Sequence, residues 1–314
     1  MTIVYAYDGE AVRRHEAPSQ RPLRWAAWRP DGAYALLVGN RGEALRFDGA
    51  RFERLATGVT HNLRGAGWSP DGKRALLAGN RGAVVLHEGG RFAELAPLTT
   101  ENLRRVAWSP DGSCALLAGN GGCVLHYDAA SGALRQLPGD RAHTLRCIAW
   151  RPDGAYALIG GYASSHAGYP RPYALFRCDG RYLQGILATD DEDDVLAVDW
   201  APAAVVGEAH RAAVLVATYR HEHATGNKIV EYAGAGVRTR AVEHASTLLG
   251  AAWEPRGAYL LLCGEAGAVA RDDGARIVPV DSGTRDNLVG PFWRPSSPAL
   301  ALMLRGPEER VYTI

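Results

Sequence analysis

Four arginines recur at one position of a repeated phrase. Arg24, Arg64, Arg104 and Arg146 each stand four residues before a tryptophan. A guanidinium is a planar, permanently charged fork that binds a carboxylate through two parallel hydrogen bonds. Four such forks in register would suit a polar docking surface for a partner that carries carboxylates. Asn40-Arg41-Gly42 and Asn80-Arg81-Gly82 add two further arginines, with Asn and Gly read as turn formers. The run "ATDDEDD" (188–194) supplies Asp190, Asp191, Glu192, Asp193 and Asp194. These acids either neutralise the arginines, stand solvated, or belong to the docking site.

Other chemistry finds less support in the spacing. "HEH" (221–223) would put His221 and His223 on one side of an extended chain, where two imidazoles could ligate a metal. No third ligand can be assigned from His166, Glu222 or His210, so no metal site is expected. The acidic run lacks the alternating spacing and the glycine of a calcium loop. A glycosidase needs two carboxylates across a cleft, and five adjacent acids read more simply as a solvated loop. No nucleophile elbow, phosphate loop or dinucleotide fingerprint occurs. The segment "YASSHAGYPRPY" brings Tyr162, His166, Tyr169, Arg171 and Tyr173. It either stacks on a peptide side chain or a sugar, or folds back on its own scaffold. No catalytic set and no cofactor are expected.

The totals narrow the classes further. The chain has 314 residues, 47% of them hydrophobic and 22% charged, which is ample material for a core. Thirty-five basic residues face 34 acidic ones, a net charge of +1, so no basic excess exists to neutralise a row of phosphates and nucleic acid is disfavoured. Five cysteines without a CxxC spacing indicate neither a disulfide framework nor a zinc ribbon. Cys114, Cys123, Cys147 and Cys263 fall in predicted strands and are expected to be inert core residues. The first residues show no basic segment followed by an apolar run, and no apolar stretch reaches the length of a membrane span. The expectation is a soluble, reduced, cytoplasmic protein without membrane contact.

The elements that must position the arginines come from repetition. "NLRGAGWSPDGKRALLAGNRG" and "NLRRVAWSPDGSCALLAGNGG" lie forty residues apart. Aligned on Trp28, Trp68, Trp108, Trp150, Trp200, Trp253 and Trp293, the chain divides into seven units with spacings of 40, 40, 42, 50, 53 and 40. Each unit reads as four short strands; in the third they are 103–108, 113–118, 122–127 and 133–137. "SPDG" suits a type I turn, and Asp-Gly after the third strand, as at 47–49 and 178–180, suits a tight hairpin. Seven four-stranded units of this length fit one all-β domain over 1–314, a seven-bladed β-propeller. The tryptophans would pack between blades.

The "SPDG" turn followed by an apolar strand resembles the WD-like propellers. The "AGNGGCVLHYD" segment resembles bacterial propeller repeats that carry a "G-x-x-G-x-[VI]-x-x-[YF]-[DE]-G" hairpin. No Gly-His opens the units and no Trp-Asp closes them, so the hydrogen-bond network of true WD repeats is not carried over. The N-terminal "VYAYDGEAVRRHE" reads like the third and fourth strands of a unit, so both chain ends would share one blade, with either 2–7 or 309–314 as its third strand. The resemblance also implies that second-to-third-strand loops and blade-to-blade loops share one face. That face would gather the arginines into one arc, together with 160–172, 188–194 and 219–227. The functional expectation is a non-catalytic interaction module for a protein or peptide on this face. The alternatives are a hydrolase or lyase acting on a glycan or small molecule there, and a lectin.

Overall fold

The structure is a computed structural model. It describes residues 1–139, 143–163, 174–187, 193–202, 210–220, 223–234, 236–295 and 300–306. Seven four-stranded antiparallel sheets form a closed ring, and we number the blades 1 to 7 from Trp28 to Trp293. The first strands are Leu23–Trp28, Leu63–Trp68, Leu103–Trp108, His143–Trp150, Asp193–Trp200, Leu248–Trp253 and Leu288–Trp293, and each ends on its tryptophan. Each first strand touches that of the next blade, and the seventh touches the first, so together they line a central channel. In blade 3 the other strands are Cys114–Gly119, Val124–Asp128 and Leu134–Gln136, within two residues of the expected bounds.

The turns form as their residues dictate. The Gly72 and Gly112 N–H groups donate to the Ser69 and Ser109 carbonyls at 2.8 and 2.9 Å, closing each "SPDG" turn. Ser69 and Ser109 also donate through Oγ to Asp71 and Asp111 at 2.6 Å.

The core is a set of seven layers, one between each pair of neighbouring blades. Two-residue alternation along the second strands builds it. Leu36 packs toward blade 2 while Leu37 packs toward blade 7. A blade therefore buries both faces only in the presence of its neighbours. The tryptophans sew these layers together. The Nε1 atoms of Trp28, Trp68, Trp108, Trp150, Trp200 and Trp293 each donate to a backbone carbonyl of the preceding blade, at 3.0–3.2 Å.

The ring is closed by the N-terminal segment. Thr2–Tyr7 pairs antiparallel with Ala301–Arg305, and Val12–Ala17 forms the outer edge of the same blade 7. Of the two candidates for the third-strand position, 2–7 holds it; residues 309–314 lie outside the described residues. Ile3, Val4, Tyr5, Ala6 and Tyr7 are all buried.

Strand reaches into all three of the segments expected as loops. Ala212–Arg220 and His223–Tyr232 extend the middle strands of blade 5, so most of 219–227 is hairpin strand. Asp193 and Asp194 already belong to the first strand of that blade. Longer β-rich stretches continue the ladder wherever both strands can pair. The third segment, 160–172, begins as strand, since Ala157–Ala163 runs into it.

Candidate functional site

The arginine column lies where the repeat places it. Arg24, Arg64, Arg104 and Arg146 stand near the start of the first strands of blades 1 to 4, at one mouth of the channel. They lie near enough to repel one another: the charges of Arg24 and Arg146 act on Arg64, and those of Arg146 and Arg64 act on Arg104. Burial, then these neighbours, push Arg104 down to about 10. Both remain protonated near neutral pH, since arginine does not release its proton in proteins. Burial accounts for most of the depression, and the like charges of the cluster add to it. Among the described residues no ion pair involves any of the four.

The asparagines of the "GN" loops turn out to aim the arginines as well as to form turns. Arg24 Nε donates to Asn40 Oδ1 at 3.0 Å, and Arg104 Nε to Asn120 Oδ1 at 2.6 Å. Arg64 Nε donates to Asn80 Oδ1 in the same way. Each pair is sixteen residues apart. One guanidinium edge is thereby fixed, and the terminal nitrogens of these three arginines make no hydrogen bond among the described residues. The preceding glycine lets the loop backbone pack on the residue before the first strand: a Cβ on Gly79 or Gly119 would strike the carbonyl of Asn62 or Asn102, which accepts the Asn80 or Asn120 N–H. In blade 4 the sixteenth residue is Tyr162, and the Arg146 guanidinium lies 5.4 Å from its ring centroid. A tyrosine face replaces the amide as the arginine's support. The Arg-to-Asn interval, repeated three times, was a usable sequence signal.

Arg41 and Arg81 sit on the same face in the left-handed region, each at φ 55°. Gly121 holds the equivalent place in blade 3. Left-handed backbone costs a non-glycine residue about 1–2 kcal/mol, partly offset because glycine has more unfolded-state freedom to lose. Arg81→Gly is therefore expected to raise the melting temperature by about 1–2 °C, read by calorimetry. A fall would show that the exposed arginine stabilises its loop by more than the strain.

The floor of the mouth is an eighth tryptophan. Trp25 and Arg105 occupy the channel-facing position three residues before the marker tryptophans, where other blades carry Gly65, Cys147, Ala197, Gly250 and Gly290. The Arg105 guanidinium lies 3.8 Å from the Trp25 ring centroid. Trp25 also meets the Phe292 ring edge-on at 4.5 Å and donates through Nε1 to the Ala66 carbonyl at 3.1 Å. Arg105 Nη1 donates to the Arg104 and Arg64 carbonyls at 2.8 and 3.2 Å. Burial and the neighbouring arginines push it down to about 9. Sequence reading missed this pair, because neither residue belongs to a recurring column.

Deeper in the channel stands Asp199, just before Trp200. The other blades carry Ala, Gly or Phe at that position. Its Oδ1 accepts the Trp200 N–H at 3.0 Å and its Oδ2 the Trp253 N–H at 2.8 Å. Burial outweighs these two donors and pushes the carboxyl up to about 6. An acid whose folded pKa is raised binds protons more tightly folded than unfolded, so stability falls as pH rises through that interval. Relative to Asp199→Asn, the wild type is expected to lose about 2 kcal/mol of unfolding free energy between pH 4.5 and 7.5, a shift of about two pKa units at 1.36 kcal/mol each less the unsampled ends. Urea titrations at the two pH values would show it, and parallel curves for both proteins would refute it.

His166, Tyr169, Arg171, Asp191, Glu192 and His221 lie outside the described residues. Asp193 and His223 are placed in strands by backbone alone. The structure thus assembles the arginines of the expected site, with Tyr162 beside them. The cysteines are all unpaired, and burial raises their thiols, Cys147 to about 12 and Cys178 to about 11. Cys123 precedes its strand rather than belonging to it.

The chain is a seven-bladed β-propeller with an arginine-rich channel mouth. No family model matches it, and no curated protein matches it. A solved structure described as YCF48 bound to D1 peptide is similar over 97% of this chain and 98% of that one, with a TM-score of 0.69 and 13% sequence identity. At that identity the likeness is one of fold.

Proposed function

We propose that this WD-like propeller is a non-catalytic docking module that holds an acidic segment of a protein or peptide partner at the arginine mouth. The observation that carries the reading is the set of three Arg–Asn pairs, which fix guanidinium forks toward one opening without a described counter-charge. A rigid rim of this kind binds with little rearrangement. The peptide named for the similar propeller supports the same class of ligand.

The test is affinity capture from host lysate, comparing wild type with an Arg64→Ala/Arg104→Ala/Arg146→Ala variant, followed by cross-linking to map the contact. A partner retained by the wild type, lost by the variant and cross-linked beside the mouth supports the proposal. A partner indifferent to the variant, or cross-linked to the "SPDG" face, rejects it.

A further inference from the structure

We propose that the channel interior is a second binding site, built for a small zwitterion with a carboxylate and an ammonium group separated by a short apolar spacer. A cavity of about 330 Å³ occupies the channel beside the Trp25–Arg105 stack, on the side of blades 4 to 7. That is the lower end of the range of small-molecule sites, about 300–1,000 Å³. Arg105 and Arg146 line one part of it and Asp199 another, while Val198, Ala251 and Phe292 contribute apolar wall.

The polar groups are incompletely used. Arg105 Nε is buried without a hydrogen-bond partner, and so is the Trp253 Nε1 atom. Trp253 is the one marker tryptophan for which no bond to the preceding blade is found, and its backbone N–H is the group that Asp199 accepts. Each Asp199 oxygen accepts a single N–H, although an ionised carboxylate offers about four acceptor sites. The two charges are also apart. Arg146 lies four residues before its tryptophan and Asp199 one; with Arg146 the extra residue of a β-bulge, that is a separation of about 7–10 Å along a strand. Arg105 sits one residue closer. A ligand with a single charge would satisfy one end and leave the other uncompensated in an apolar wall. A dipolar ligand with a few methylenes between its ends satisfies both and brings no net charge into the channel. The site does not depend on what docks at the mouth.

The experiment is isothermal titration of the full chain with 3-aminopropanoate, 4-aminobutanoate, 5-aminopentanoate and 6-aminohexanoate, beside pentylamine and pentanoate. We expect saturable one-site binding with a best chain length, at least about tenfold tighter than either single-charge compound. Asp199→Asn should reduce the best ligand to the level of pentanoate, while Lys73→Ala, on the exposed "SPDG" face and outside the cavity, should leave it unchanged. Ala251→Leu, which fills the cavity from its wall, should abolish the heat even if Asp199→Asn does not fold. No saturation by about 20 mM, the regime of affinities weaker than millimolar, would overturn the proposal. So would affinity that ignores chain length, or full binding by the Ala251→Leu variant.

Discussion

A chain that begins at residue 18 is expected to lose its cooperative unfolding transition. The missing residues are the third and fourth strands of blade 7; the third pairs with Ala301–Arg305 and the fourth pairs with the third. Val4 and Tyr7 are fully buried, and Ile3 and Tyr5 nearly so. Each such side chain contributes about 1.5–3 kcal/mol on burial, so four contribute about 6–12 kcal/mol. That equals the whole net stability of an ordinary domain, about 5–15 kcal/mol. The loss does not stay local. Val4 and Ala6 pack in the layer between blades 7 and 1, while Ile3, Tyr5 and Tyr7 pack in the layer between blades 6 and 7. Tyr5 also donates through its hydroxyl to Asp286 Oδ2 at 2.6 Å, which ties the strand to the loop entering blade 7. Removing the segment opens both interfaces and leaves Ala301–Arg305 as an unpaired edge. Urea unfolding followed by tryptophan fluorescence would report the effect. A synthetic peptide of residues 1–19 added in trans should restore the transition. An unchanged midpoint in the shortened chain would refute non-covalent closure as the source of ring stability.

The arginine mouth carries the largest expected effect on binding. Changing Arg64, Arg104 and Arg146 together to alanine should weaken an acidic partner by at least about a hundredfold. A buried interface arginine typically costs about 2 kcal/mol or more on truncation, and the three are close enough that their effects will not add fully. The same variant should fold about as well as the wild type, because burial and then the like charges of the cluster disfavour these guanidiniums in the compact state. Binding loss without a drop in melting temperature is therefore the signature. A steep fall in wild-type affinity with salt should flatten in the variant. Arg104→Lys should give an intermediate loss, since it keeps the charge and loses the fork held by Asn120. Equal affinity of wild type and triple variant for the captured partner, or identical salt dependence, would show that the mouth is not the docking surface.

How much of this was legible in the chain varies from residue to residue. The aim of Arg64 and Arg104 by Asn80 and Asn120 was encoded in a fixed sixteen-residue interval, because the partners sit in one blade and repeat with it. The Trp25–Arg105 stack was not legible. Its partners come from blades 1 and 3, each occurs once, and they meet only because both face the channel. Asp199 carries no repeat signal, since the other blades have Ala, Gly or Phe at its position. Its consequence depends on the Trp253 N–H, more than fifty residues later, and on the apolar cavity around it.

The sequence by itself determined the number of blades, the strand and turn of each, the inter-blade role of the tryptophans and the column of arginines. These are properties of short segments: two-residue alternation, turn residues at set offsets and recurrence near forty residues. Tertiary structure alone decided that residues 2–7 close the ring, that Trp25 and Arg105 floor the mouth, and that Asp199 stands in a shared cavity. Those outcomes arise where different blades converge on one axis. The physical reason is that pattern along a chain specifies what a blade can bury, whereas closure of the ring selects which side chains meet across it.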